Sequence, residues 1–151
     1  MDTVTYPSPE VQQYIGSRFV AYEANMARRE DWPLYRSNHI IWTPSVGFAD
    51  RNGQMHYHSP GFLPPSEFVS VMRIGRARCL MAWTRSSEAA QELEAASAVE
   101  NAVTPEALWW LGVAYFLERR DNTRMYEVWK QLAVRYPDSP WTKRTYPRSQ
   151  Y

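Results

Sequence analysis

One hairpin signal organises the middle of the sequence: Trp42-Thr43-Pro44-Ser45-Val46-Gly47-Phe48-Ala49-Asp50-Arg51-Asn52-Gly53-Gln54-Met55-His56-Tyr57-His58. The Asn52-Gly53 pair predicts a tight turn, because both residue types tolerate positive φ angles. Short runs of strand type flank the turn, Ser45 to Ala49 before it and Met55 to His58 after it. We therefore predict two strands joined by a hairpin.

Before the hairpin, the chain has the pattern of mixed helix and strand. Pro9 to Ser17 has apolar residues at helical spacing, and Arg28 to Ser37 predicts a second short helix. Phe19 to Tyr22 and Ile40 to Trp42 are short apolar runs that predict strands. The first part of the chain is therefore expected to alternate helix and strand up to the hairpin.

After the hairpin, the pattern indicates helices alone. Thr104-Pro105-Glu106 is a clear helix start, with Thr as N-cap, Pro in the first turn and an acid beside it. The predicted helices are Ser66 to Trp83, Ser86 to Ala98, Thr104 to Arg120 and Thr123 to Tyr136. Trp141 to Tyr151 is expected to be a loosely held tail.

Composition narrows the class of protein. The 151 residues are enough to bury a core without disulfides or metals, and the formal net charge is only +1. A charge near zero argues against nucleic acid or an anionic membrane as the main partner. The N-terminus has no signal-peptide pattern, and the longest apolar stretch, Ala107 to Leu117, is too short to span a bilayer. We expect a soluble cytoplasmic protein without membrane insertion.

Five segments share an order and spacing that carry a family resemblance. They are Thr5-Tyr6-Pro7-Ser8-Pro9-Glu10-Val11, Phe19-Val20, Trp42-Thr43-Pro44-Ser45-Val46, Asp50-Arg51-Asn52-Gly53 and Gly61-Phe62-Leu63-Pro64-Pro65-Ser66-Glu67-Phe68. Over roughly residues 1–80 this order resembles bacterial thioredoxin-like domains. The resemblance implies an α/β fold, with an incomplete thioredoxin-like domain at residues 1–82 and an α-helical extension containing a helix hairpin at residues 83–151.

The chain departs from that family at its active site. Related domains carry Cys-x-x-Cys shortly before a Met-Asp or Met-Glu pair, and Met1-Asp2 matches that pair. The first strand and the dithiol are therefore missing, and Cys79 lies too far downstream to replace them. Disulfide exchange needs an attacking thiolate and a resolving thiol close together. We expect no such activity from the chain as written, and Glu23, where relatives often carry a carboxylate, has no proton to shuttle.

One family-site residue remains, and it suggests a binding surface. The resemblance implies that Pro44 is cis and that the backbone of Thr43 pairs with an extended peptide. Trp42, Thr43 and Pro44 would then line a shallow surface for a partner strand. The alternative is that Pro44 is a structural turn with nothing bound.

The helical part carries a second, weaker resemblance. Leu108, Leu111, Gly112 and Tyr115, followed by an amphipathic helix, resemble one tetratricopeptide-type helix pair. Gly112 is expected to let the two helices approach closely. A further, degenerate pair at residues 66–99 is too little to form a solenoid groove.

A tryptophan pair on the first of these helices offers another contact. Adjacent residues point about 100° apart on a helix, so one of Trp109 and Trp110 is expected to face outward and anchor a partner. The alternative is that both are core residues.

Other possible chemistry has simpler interpretations. His56 and His58 share one strand face, with His39 as a third candidate ligand, but no Cys or nearby acid completes a zinc site. Cys79, beside Arg78 on a predicted helix, is interpreted as a packed thiol rather than a reactive one. The scattered glycines form no phosphate loop. No metal, cofactor or small-molecule substrate is therefore expected.

Two functional hypotheses follow. The first is a non-catalytic, thioredoxin-like interaction or scaffold subunit that binds a protein partner or a second copy of itself. The second is a thiol–disulfide oxidoreductase whose first strand and Cys-x-x-Cys motif lie upstream of Met1. The second hypothesis would be favoured if the DNA just upstream of the Met1 codon encodes a Cys-x-x-Cys motif in the same reading frame.

Overall fold

A computed structural model describes residues 1–145, which form six α-helices and one two-stranded antiparallel sheet. In chain order the elements are α1 (Pro9–Arg18), α2 (Trp32–Ser37), β1 (Ser45–Ala49), β2 (Met55–Pro60), α3 (Pro65–Ala82), α4 (Ser86–Ser97), α5 (Thr104–Arg119) and α6 (Thr123–Arg135). Short 3-10 turns occupy Arg29–Asp31 and Thr142–Arg144. The protein is therefore a mixed α/β structure in which helix predominates.

The hairpin and the long helices confirm the sequence pattern. Gly53 has a φ of 79°, and its N–H donates to the carbonyl of Asp50 across the turn at 2.9 Å. β1 and β2 pair antiparallel, with Phe48 opposite Tyr57, and the register shifts at the end of β1. Proline stands at the first or second position of α1, α3 and α5, where its missing N–H would have had no partner in the helix. For these three helices the predicted starts therefore agree with the structure to within about one residue.

Two predicted strands are wrong. Phe19 has extended dihedral angles, but Phe19 to Tyr22 pairs with no other strand in residues 1–145, and Ile40 to Trp42 is irregular, with a bend at Trp42. A strand needs a neighbour for its backbone N–H and C=O groups, and an apolar run cannot supply that neighbour by itself. The predicted helix at Arg28 to Ser37 is also shorter, because Arg29–Asp31 is a 3-10 turn.

The first buried cluster joins α1, the hairpin and the first half of α3. Val11 and Tyr14 of α1 pack with Phe48 of β1 and with Phe68 and Met72 of α3. β1 approaches α3 closely because Gly75 has no side chain: a Cβ there would overlap the Phe48 ring. The sheet is thus held against one face of α3.

The second buried cluster lies among α3, α4, α5 and α6. Its fully buried members include Ile74, Leu93 and Leu132. α5 and α6 meet at Gly112, where a Cβ would overlap the Trp129 indole, so the expected close approach is confirmed. The domain boundary at residues 82/83 and the tetratricopeptide resemblance stay predictions.

The tail is held more firmly than its sequence suggested. Trp141 packs with ring centroids 5.6 Å from Trp109 and 6.5 Å from Trp110, and the hydroxyl of Thr142 donates to the carbonyl of Tyr136 at 2.6 Å. The expectation of a loose tail is therefore wrong up to residue 145, and residues 146–151 lie outside the described part. α5 is apolar on nearly all sides, so a neighbouring segment is needed to cover it.

A buried carboxylate ties α1 to α3 and α4. Glu92 accepts hydrogen bonds from the hydroxyl of Tyr14 at 2.5 Å, from Arg73 at 2.9 Å and from Arg76. Burial, together with the bond to Glu92, raises the pKa of Tyr14 well above its usual range. The phenol therefore stays protonated and keeps donating to Glu92 at any ordinary pH.

Candidate functional site

The three residues expected to form a partner surface are all exposed. Trp42, Thr43 and Pro44 precede β1, and the Trp42 side chain is 68% exposed. The Thr43–Pro44 peptide bond is cis, the geometry that the thioredoxin-like resemblance implied for this position. The hydroxyl of Ser45 donates to the carbonyl of Trp42 at 2.7 Å, and the N–H of Gly61 donates to the carbonyl of Pro44 at 2.8 Å. These bonds fix the segment against the start of β1 and the end of β2.

β1 has a free edge. Its only strand partner in residues 1–145 is β2, so one side of β1 has no ladder. Phe19, whose backbone is extended, contacts β1 through its side chain, since its ring lies 5.6 Å from the Phe48 ring. The N–H groups of Val20, Ala21 and Tyr22 donate to no backbone carbonyl of the described chain. Val20 to Tyr22 therefore carry unpaired backbone N–H groups just after a residue that packs on β1.

Exposed apolar side chains concentrate in residues 20–42, here called the exposed segment. Thirteen large apolar side chains are exposed within residues 1–145, and seven of them belong to this segment: Val20, Tyr22, Met26, Trp32, Leu34, Ile41 and Trp42. α2, its only helix, packs extensively only against the 3-10 turn that precedes it. The concentration of exposed apolar side chains in one stretch of chain makes this segment a candidate contact surface.

Asp31 organises the exposed segment from within. Its carboxylate is 2% exposed and accepts hydrogen bonds from the Tyr22 hydroxyl at 2.5 Å, the Asn25 N–H at 2.7 Å and Arg28 Nε at 2.8 Å. The bond from the Asn25 N–H, assisted by Tyr22 and Arg28, lowers the pKa of Asp31. The segment is therefore ordered by its own polar contacts, although its apolar side chains face outward.

Trp109 and Trp110 lie elsewhere in the fold, and neither is exposed. Trp109 stacks on Trp129 with 5.8 Å between ring centroids, and the rings of Trp109 and Trp110 meet edge-on at 4.7 Å. Trp141 covers the pair from the tail. Both tryptophans pack on the cluster of α3 to α6, whereas Trp42 to Pro44 precede β1. The structure does not bring the two predicted contact regions together.

A polar cavity at the hairpin turn was missed by sequence reasoning. The carboxylate of Asp50 accepts hydrogen bonds from His56 Nε2 at 2.9 Å, Trp83 Nε1 at 3.0 Å and the N–H groups of Asn52 and Gln54. These bonds, that from His56 above all, hold the pKa of Asp50 well below its usual range. The residues border an open cavity of about 340 Å³. The sequence did carry a signal for part of this arrangement: Asp50 stands two residues before Asn52, and in turns an Asp carboxylate often accepts a hydrogen bond from the backbone N–H two residues later.

The histidines form no common site. His56 is bound to Asp50, His58 is half-buried, and His39 is exposed. His58 Nε2 has no hydrogen-bond partner among the described residues. Within residues 1–145 no group of three or more His, Cys, Asp or Glu side chains is arranged to hold a metal ion.

Cys79 and Glu23 occupy unreactive surroundings. Cys79 is half-buried, its thiol lies 3.8 Å from the carbonyl oxygen of Phe48, and burial raises its pKa to about 11. A thiol with this pKa is almost entirely protonated at neutral pH and is a poor nucleophile. Glu23 is exposed, and its backbone carbonyl accepts a hydrogen bond from Arg28.

Comparisons with known proteins identify no relative of this chain: no family model, curated protein or solved structure matches it significantly. None of the helices within residues 1–145 is long and apolar enough to cross a lipid bilayer. The function must therefore be argued from the surfaces described above.

Proposed function

We propose that the chain is a non-catalytic, thioredoxin-like protein-interaction module that binds an extended segment of a partner along the free edge of β1. The free edge carries the proposal, because unpaired N–H and C=O groups on a strand are a template for another strand. Trp42, Thr43 and Pro44 stand at its beginning and offer exposed side chains to the incoming segment.

The chemistry of the edge favours an extended, apolar partner segment. β1 is Ser45-Val46-Gly47-Phe48-Ala49 and has none of the charged side chains or internal prolines that normally protect an edge strand. Ile41, 90% exposed, directly precedes Trp42 in the chain, and the fully exposed Val20 follows Phe19, whose ring packs on Phe48 of β1; both add exposed apolar surface. A strand with apolar side chains on one face would pair its backbone with β1 and cover this surface.

The chain's own residues support binding better than catalysis. It has one cysteine, and the raised pKa of Cys79 leaves no ready thiolate.

A second candidate function is a thiol–disulfide oxidoreductase with its dithiol on a segment upstream of Met1, and one observation favours it. Val20 to Tyr22 donate to no backbone carbonyl of the described residues and follow Phe19, whose ring packs on Phe48 of β1, so a strand of the same polypeptide would fit there as well. Insulin reduction by the chain extended upstream, compared with the present chain, tests this candidate.

The interaction is tested with a synthetic peptide that alternates Val and Thr. Binding is followed by amide hydrogen exchange, and we expect the edge-facing N–H groups of β1 to become protected. A peptide with the same side chains and alternate N-methylated amides should not bind, because it cannot form the ladder. Protection that is absent from β1, or equal with the methylated peptide, would rule out strand addition.

A matched pair of variants distinguishes peptide binding at the free edge of β1 from non-specific binding to exposed apolar side chains. Trp42→Asp changes a side chain at the edge, and Val134→Asp changes one that is 74% exposed on α6. We expect Trp42→Asp to weaken peptide binding by about tenfold, the usual scale for an exposed aromatic contact of about 1.4 kcal/mol. Val134→Asp should leave binding unchanged. Equal effects of the two variants would contradict the proposal.

A further inference from the structure

We propose that Trp32, flanked by Arg29 and Arg36, is a second docking site, which binds an acidic and apolar segment of a partner protein. The site lies on α2 and the turn before it, separate from the free edge of β1. It therefore does not depend on strand addition.

The geometry places two guanidinium groups around one indole. The Cζ atoms of Arg29 and Arg36 lie 5.9 Å and 5.7 Å from the centroid of the Trp32 ring. At this distance a cation is attracted by the ring face, which limits the freedom of the two long side chains. Trp32 itself is 42% exposed, so part of the ring remains open to a partner.

Apart from their contact with the Trp32 ring, the two guanidinium groups at this site have no charged partner among the described residues. Neither Arg29 nor Arg36 forms an ion pair with a residue in the described range, and both are exposed. Arg28, by contrast, is bound to the buried Asp31 and also feels the charge of Glu30. Two guanidiniums therefore remain free to pair with anions from outside.

The surface is ordered before a partner arrives. The indole N–H of Trp32 donates to the carbonyl of Met26 at 2.9 Å, and the Tyr35 hydroxyl donates to the carbonyl of Ala24 at 2.9 Å. The preceding residue, Asp31, is the buried centre of the exposed segment. Because these contacts fix the indole, binding costs less conformational entropy than it would on a mobile loop.

The chemistry of the site selects the partner. Guanidinium groups bind carboxylates through paired N–H donors, and Trp and Arg are the residues that most often dominate binding energy at interfaces. The exposed part of the Trp32 ring would take an apolar side chain between the acidic ones. Nucleic acid fits less well, because a chain of net charge +1 lacks the broad positive field that a phosphate backbone needs. The complementary partner is therefore an acidic polypeptide segment.

The test uses a peptide that alternates Glu and Leu, with a Lys–Leu peptide of the same length as its control. Binding is measured by NMR at the indole N–H of Trp32, assigned by its loss in Trp32→Phe. We expect the Glu–Leu peptide to shift this signal, the Lys–Leu peptide not to shift it, and added salt to weaken binding. A Trp32 signal that does not move, or tighter binding of a single-stranded oligonucleotide than of the peptide, would overturn the proposal.

Two double variants with the same change of charge give the control. R29E/R36E should weaken binding of the Glu–Leu peptide by at least about tenfold, because attraction becomes repulsion. R51E/R119E should change it less than about twofold, although Arg51 also stacks over an exposed tryptophan, Trp83, at 4.2 Å. Equal losses would show a non-specific charge effect and reject the site. Trp42→Asp should leave this binding intact, which distinguishes failure here from failure of the β1-edge proposal.

Discussion

Single carboxylates organise separate parts of the molecule. Asp31 holds the exposed segment, Asp50 closes the hairpin turn, and Glu92 connects three helices. Each accepts at least three hydrogen bonds, which is how a carboxylate removed from water avoids a large desolvation penalty. Beyond the turn itself and the i,i+3 spacing of Arg28 and Asp31, the sequence gives no signal for these partnerships. Trp83, Arg73 and Arg76 are distant in the chain from their carboxylates, and the six-residue spacing of Asp50 and His56 follows no helical or strand period.

Asp50 should give the hairpin a pH-dependent contribution to stability. Its folded-state pKa lies below the usual 3.8, mainly because His56 donates to it. A depressed pKa stabilises the fold at pH values above the unfolded-state pKa, and this contribution is lost as the pH falls through the folded-state pKa. We expect Asp50→Asn to lower Tm at neutral pH, and the difference from the unmutated protein to shrink below about pH 4.

Melting curves followed by circular dichroism at a series of pH values measure this effect. Asp138→Asn is the control, since Asp138 forms no hydrogen bond through its side chain and no ion pair within residues 1–145. It should follow the unmutated protein at every pH. A constant Tm difference between Asp50→Asn and the unmutated protein down to strong acid would contradict the assigned role of Asp50.

Among the secondary-structure elements, α3 is the one that both buried clusters share. Its first half meets the sheet, and its second half meets α4 and α5. Gly75 lies in the middle, at the place where the Phe48 ring comes closest. An alanine there would gain helix propensity but would force the ring and the sheet to move.

Three alanine substitutions compare these effects. Gly75→Ala should lower the free energy of unfolding by about 1–3 kcal/mol, because overpacking outweighs a propensity gain of about 1 kcal/mol. Gly16→Ala, in α1 with no atom within 4 Å of the added Cβ, should raise it by about 0.5–1 kcal/mol. Gly112→Ala should resemble Gly75→Ala because of Trp129. Urea denaturation measures all three, and a stabilised Gly75→Ala protein would refute the close packing of β1 on α3.

The elements also show how far local pattern predicts structure. Pro9 and Pro105 stand at the predicted helix starts, and Asn52-Gly53 predicts the hairpin, because these signals act within a few residues. Phe19 to Tyr22 failed as a strand because pairing depends on a neighbour that the local run does not specify. In the candidate site, Trp42, Thr43 and Pro44 are exposed, as the sequence predicts. The arrangement of Arg29 and Arg36 around the Trp32 ring depends on the conformation of α2 and of the turn before it, so the residue pattern alone did not show it.

In the whole molecule, Glu92 connects the two buried clusters. Tyr14 belongs to the cluster of α1 and the sheet, whereas α4, which carries Glu92, belongs to the cluster of α3 to α6. Arg73 and Arg76 of α3 complete the connection. Without the carboxylate, two guanidiniums would face each other beside a phenol that has lost its acceptor.

Glu92→Gln should therefore destabilise the protein by about 2 kcal/mol, between the values for exposed and fully buried ion pairs. Glu88→Gln, which breaks the exposed pair with Arg85, is the control and should have less than half that effect on the urea midpoint. A Glu92→Gln protein as stable as Glu88→Gln would show that the connection between the clusters adds little. Hydrogen exchange of α1 amides should rise in Glu92→Gln before that of α5 amides.

The packing of Trp109, Trp110, Trp129 and Trp141 has an optical consequence. Neighbouring ring centroids in this group are 4.7 to 6.5 Å apart. At such separations the electronic transitions of indoles couple, and excitation passes between the rings before emission. The helical half of the molecule therefore carries its own chromophore, whose near-ultraviolet dichroism depends on Trp141 remaining docked. Trp32, Trp42 and Trp83 make no ring–ring contact with this group, so its coupled signal reports on the docking of the tail separately from changes at the exposed segment.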